Sequence, residues 1–127
     1  MAFSADDINK AREGLKRRRA RRTADCLALH ERACKDFESI VKMIIERFNP
    51  EKIYQWGSLL RPERFREYSD IDIAVEGIVL PEVFFDMLGK AQAMTEFSVD
   101  MVQIEKIEPE FAGSIRTQGR IVYERKD

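Results

Sequence analysis

Histidine, tryptophan, cysteine and proline are scarce in this 127-residue chain, which has one His, one Trp, two Cys and four Pro. The single histidine, His30, has no second histidine near it, and no Cys-x-x-Cys occurs, which argues against zinc. Any metal here is expected to be held by oxygen. Cys26 and Cys34 stand eight apart on an expected helix, about two turns, and cannot bridge within it. Both are expected to be reduced and buried. Long apolar runs are missing too: nothing approaches the ~18 residues of a membrane span. The opening Met1-Ala-Phe-Ser-Ala-Asp-Asp7 turns acidic at once, unlike a secretory signal. A cytoplasmic location and no membrane partner are the expectation.

What is present describes an ordinary globular chain, 44% hydrophobic and 35% charged, with length for one core rather than two. A formal net charge of −1 conceals an asymmetry. Residues 1–50 carry 12 Lys and Arg against 8 Asp and Glu, whereas residues 51–127 carry 10 against 15. The expected organisation is a helical extension over 1–50 and one compact core over 51–127.

The extension follows from its periodicity. Ser4 with Asp7 three positions on forms a capping box with Asp in place of the usual Glu. No proline then intervenes before Pro50, and only Gly14 weakens the pattern. Cys26, Leu29, Ala33, Phe37, Ile40, Val41, Ile44 and Phe48 recur at intervals of three and four, an amphipathic helix of about six or seven turns. Lys16-Arg-Arg-Arg-Ala-Arg-Arg22 holds six positive charges in seven residues and either continues this helix or forms a separate arm. It reads first as a solvated helical arm, with a nucleic-acid contact as the alternative.

The chemistry gathers further on. Ile53-Tyr-Gln-Trp56 reads as a strand running into Gly57-Ser58, where a missing side chain lets backbone N–H groups approach phosphate oxygens and a hydroxyl adds another bond. Arg61 offers a planar, bidentate cation. Eleven residues beyond Ser58 comes Ser69-Asp70-Ile71-Asp72, opening a strand over 70–76. Asp70 and Asp72 share one strand face, roughly 7 Å apart along the chain, while Ile71, Ile73 and Val75 face a core. Close like charges favour a hard cation between them, and Mg2+ carrying a nucleoside triphosphate is the expected occupant. The intervening Leu59–Tyr68 reads as a loop with at most one helical turn, and its Arg64 and Arg66 read equally as solvated loop charge or as phosphate contacts. Pro81 opens a helix whose Val83, Phe84, Met87, Leu88, Ala91 and Met94 form a core stripe. A third strand spans 97–104, where Asp100 shares a face with Val102 and Ile104, an unusual place for a carboxylate unless it reaches water at an edge or has a function. Phe111 and Ile115 suggest a short helix stopped at Gly119, followed by Ile121-Val-Tyr123.

Gly57-Ser58, Arg61 and Ser69-Asp70-Ile71-Asp72 resemble the signature of the DNA polymerase β-like nucleotidyltransferases. They resemble most closely the minimal (MNT) branch, which accompanies HEPN-domain partners as antitoxin and toxin. The resemblance runs from about Glu51 onward. Pro62 departs from it, standing where a second glycine is frequent, and the interval to Asp70 is one residue longer than the commonest spacing. The order of elements gives an α/β (α+β) fold with a small mixed sheet backed by helices, and the resemblance implies a nucleotidyltransferase-like version of it. It also implies transfer of a nucleoside monophosphate, AMP from ATP, to a hydroxyl on a HEPN-type partner, with Asp100 as the third carboxylate. Asp70, Asp72 and Asp100 would then hold Mg2+ and carry catalysis, and Gly57, Ser58 and Arg61 would bind the leaving phosphates.

Three classes of function stand side by side on these residues. One is the transferase. A second is a non-catalytic module that neutralises a HEPN-type partner by occlusion, which the departures at Pro62 and the loop favour. The third is a nucleic-acid binder using Lys16–Arg22. The long helix also offers a surface for homo-oligomerisation.

Overall fold

A computed structural model describes residues 2–126. One helix, α1 (Ala5–Phe48), comprises 44 residues, so the basic run continues the helix rather than forming a separate arm. Ser4 accepts from the Asp7 N–H and Asp7 accepts from the Ser4 N–H, closing the capping box. At the far end Asn49 takes a left-handed conformation, φ 49°, and Pro50 follows, the usual way to stop a helix sharply.

Four strands then form one sheet: β1 (Lys52–Trp56), β2 (Ile71–Glu76), β3 (Val99–Gln103) and β4 (Arg120–Glu124). Their order is β3-β2-β1-β4; β1 is antiparallel to both β2 and β4, and β2 is parallel to β3. The parallel pair needs a crossover, which α2 (Pro81–Gln92) supplies, and α3 (Pro109–Gln118) connects β3 to β4. The mixed sheet backed by helices is the architecture expected from the pattern of elements.

Both sheet faces are covered. On one, Ile53, Ile71, Ile73, Val75, Val99 and Met101 pack against Ala33, Phe37, Ile40 and Ile44 of α1 and Phe84, Met87 and Ala91 of α2. On the other, Tyr54, Ala74 and Ile104 pack against Ala112 and Ile115 of α3. Burying side chains of this size is worth about 1.5–3 kcal/mol each, so the second half of α1 is held by the core. Its first half is not: no described residue before Cys26 is buried.

Several local expectations shift. β2 begins at Ile71 and leaves Asp70 just ahead of it, and β3 is shorter than 97–104. The stretch read as loop contains two 3-10 turns, Gly57–Leu60 and Pro62–Arg64. Cys26 is buried as expected, but Cys34 is only half-buried, because it sits at the edge of the α1 stripe beside a shallow cavity under Gln55 and Arg120. Arg66 is not solvated charge, since it donates to Cys26 Sγ and to the carbonyls of Glu63 and Phe65 and thereby ties the loop to α1.

Candidate active site

Strand register assembles the acids. Asp72 lies opposite Trp56 on β1 and opposite Asp100 on β3, and side chains in register on neighbouring strands point to the same face. The face that buries Ala74 and half-buries Val102 lower in the sheet therefore presents Asp72 and Asp100 at its end. Asp70, one residue before β2, brings in a third carboxylate. One oxygen from each of Asp70, Asp72 and Asp100 lies within 4.8 Å of the others.

The three environments differ. Asp72 is 7% exposed, whereas Asp70 is half-buried and Asp100 exposed. Burial, and after it the Asp100 carboxylate, raises the Asp72 pKa to about 7; the Ser58 N–H opposes this and Asp70 adds to it. Asp100 is also pushed upward, by burial and then by Asp70. Repulsion and desolvation of this kind are relieved by a hard divalent cation, whose oxygen-ligand preference matches three carboxylates. The donor set thus fits a hard divalent cation.

The turn after β1 meets these acids directly. Gly57 has φ 75°, which a glycine adopts without steric penalty, and the chain folds so closely over Asp72 that no side chain fits there. The Ser58 N–H donates to Asp72 Oδ2 at 3.4 Å, and the Ser58 hydroxyl donates to the Asp70 carbonyl at 3.1 Å. Gly57 and Ser58 therefore join Asp70 and Asp72 in one assembly. From α1, His30 Nε2 donates to the Leu59 carbonyl at 2.6 Å, anchoring the same turn to the core.

Arg61 stands apart from the triad. It is exposed and lines a cavity of about 290 Å³ with Trp56, Gly57, Phe111, Ser114 and Gln118. Trp56 and Phe111 meet edge to face at 5.2 Å, and among the described residues the buried Trp56 Nε1 has no hydrogen-bond partner. Neither these cavity walls nor His30 stood out in the sequence. Trp56 directly precedes Gly57 and so carried a signal, but Phe111 and His30 reach the turn only through packing.

Comparison with known proteins agrees with this geometry. The family described as "Polymerase beta, Nucleotidyltransferase" matches residues 38–127, from the second half of α1 onward. No curated protein sequence matches the chain. Among solved structures, a chain of the toxin-antitoxin MntA-HepT superposes with a TM-score of 0.56 at 20% identity, covering 71% of each chain. A toxin-antitoxin structure with AMP-PNP superposes at 0.58 and 22% identity, covering 70% of this chain and 74% of that one. At such identities the likeness is one of fold.

Proposed function

The chain belongs to the polymerase β nucleotidyltransferase family, and we propose that it moves AMP from ATP to a hydroxyl on a HEPN-type partner protein, as an MNT-type antitoxin. The observation that carries the transfer chemistry is the convergence of three carboxylates beside a glycine-serine turn. The partner and the ATP donor are suggested by the MntA-HepT complex and by the AMP-PNP of the related structure.

Asp70 and Asp72 would hold the divalent cation with Asp100, and such a cation, when bound, neutralises charge on the triphosphate. Asp100 is the exposed member of the set and the one open to an incoming hydroxyl. With its raised pKa it accepts that proton as the oxygen attacks the α-phosphorus and the bond to pyrophosphate breaks. The Gly57-Ser58 turn sets the triphosphate against the acids, and Arg61 meets the leaving phosphates from the adjoining cavity. Rate enhancement then comes from positioning and charge neutralisation. Among the described residues no helix is long and apolar enough to cross a membrane, which accords with our placing the reaction in the cytoplasm.

Intact mass spectrometry of a HEPN-type partner produced together with this chain tests the reading. A gain of one AMP on the partner, absent with Asp72→Asn, is expected. A partner bound equally by both forms and never modified would instead leave neutralisation by occlusion.

A further inference from the structure

The basic run Lys16-Arg-Arg-Arg-Ala-Arg-Arg22 lies within α1, ahead of Cys26, the first buried residue among those described in the helix. All six of its cationic residues are exposed, and among the described residues none holds an ion pair or a side-chain hydrogen bond. Lys10 with Asp6 is the ion pair that this half of the helix does make. At about 100° per residue the six charges fall on every side. Arg19 and Arg22 stand in line with the core-facing residues further along, Arg17 and Arg21 face the other way, and Lys16 and Arg18 take the two flanks between. Like charges three and four apart, such as Arg17 with Arg21 and Arg18 with Arg22, repel one another. The run therefore costs helix stability and gains nothing from the body of the protein. It lies outside residues 38–127, the part shared with the family.

We propose that this stretch of α1 lies in the major groove of double-stranded DNA and is held there by backbone phosphates, independently of the chemistry at the three acids. A membrane or the flat face of an acidic protein meets one side of a helix and leaves the remaining charges unanswered. A lipid surface also requires an apolar side, and Ala20 is the one apolar residue of the run. A groove instead has a phosphate strand on each wall and a floor that carries the guanine O6 and N7 acceptors, so it meets three sides of the helix at once. The charge densities match. Seven residues rise about 10 Å along the helix, and duplex DNA carries about six phosphate charges over that distance. Five of the six cations are arginine, whose planar fork suits both phosphate and guanine. A helix about 10–12 Å across enters the roughly 12 Å major groove of B-form DNA, whereas the deep, narrow major groove of A-form RNA shuts it out.

Fluorescence anisotropy of a labelled DNA duplex, titrated with the full chain at several salt concentrations, tests this. Binding is expected, with log affinity falling against log salt at a slope of about −4 to −5. Arg17→Gln, Arg18→Gln, Arg21→Gln and Arg22→Gln together keep good helix formers at exposed positions. They are expected to flatten the slope by about 3–4 and to lower affinity at least about a hundredfold near 50 mM salt. The same variant should unfold as the native chain does and bind Mg2+ equally well, which separates loss of DNA from loss of fold or of the acidic site. A duplex whose cytosines carry bulky groups at C5, filling the major groove, should bind at least about tenfold more weakly. A chain that does not bind duplex DNA at low salt, a slope shallower than about −3, or binding that survives the four Gln substitutions overturns the proposal. So does binding that is indifferent to the bulky C5 groups, or that is as tight to duplex RNA of the same sequence, to single-stranded DNA or to phosphatidylserine vesicles.

Discussion

A β-carbon added to Gly57 would lie 2.0 Å from Asp72 Oδ2 and 2.8 Å from its Cγ, at a backbone φ of +75°. The glycine and the buried carboxylate therefore specify each other: the turn can pass over Asp72 only without a side chain, and Asp72 receives the following N–H only because the turn passes so close.

Gly57→Ala is accordingly expected to displace the Asp72 carboxylate and to lower stability by about 1–3 kcal/mol through clash and left-handed strain. Gly77→Ala provides the contrast. Gly77 has φ +94° and an added β-carbon would meet the Glu51 Cγ at 2.7 Å, but it lies at the opposite end of β2. Both variants should unfold at lower urea concentration, and only Gly57→Ala should weaken divalent-cation binding measured by calorimetry.

The raised pKa of Asp72 has a definite sign in stability. Unfolded, its carboxyl ionises near pH 3.8, and folded it does so near about 7. Between those values the folded state holds a proton that the unfolded state has lost, so stability falls as pH rises through that window and levels off above it. In cation-free buffer the thermal midpoint attributable to Asp72 should drop by about 10 °C from pH 4.5 to pH 7.5. Asp72→Asn should remove that slope, and Mg2+ at pH 7.5 should recover the lost stability in the native chain alone.

Within the triad the three acids should not be equivalent. Asp72→Asn and Asp70→Asn are expected to weaken Mg2+ or Mn2+ binding at least about tenfold. Asp100→Asn should lower AMP transfer by about 10²–10⁴ through loss of a proton acceptor. Titration calorimetry alongside single-turnover transfer separates binding from chemistry.

His30 acts on the turn from outside the site, through its N–H to the Leu59 carbonyl. His30→Phe keeps the ring that packs edge to face against Phe65 and removes the donor. We expect a stability loss of about 1 kcal/mol and a rise of about two- to tenfold in KM for the nucleotide, with cation binding by the acids unchanged. Kinetics at fixed Mg2+ check the split between KM and kcat.

Much of the architecture was legible because it is local. The Ser4–Asp7 capping box and the stop at Pro50 mark the two ends of α1 and the stripe from Cys26 to Phe48 marks its core-facing half, but that the basic run joins them into one helix was not legible. The alternation of Asp72 with Ile71, Ile73 and Val75 correctly divides β2 between two faces. Strand ends were less legible, since they are set by where pairing stops. Arg66 was not legible for a related reason: loop sequence leaves a guanidinium open to solvent or to phosphate alike, and only the packed loop directs it to Cys26 and to carbonyls.

The sequence by itself determined which residue types were on hand: paired carboxylates at i and i+2, a Gly-Ser turn, an uninterrupted helix with a basic run. Those properties follow from backbone period and side-chain chemistry, which act over a few residues. Only the tertiary structure decided that β3 pairs parallel with β2, bringing Asp100 into register with Asp72, and that Trp56 and Phe111 wall a cavity beside Gly57. It also decided that α1 buries one half of its apolar face and leaves the other bare. Strand neighbours and helix docking are settled by the burial of surfaces far apart in the chain, and short-range patterns do not carry that information.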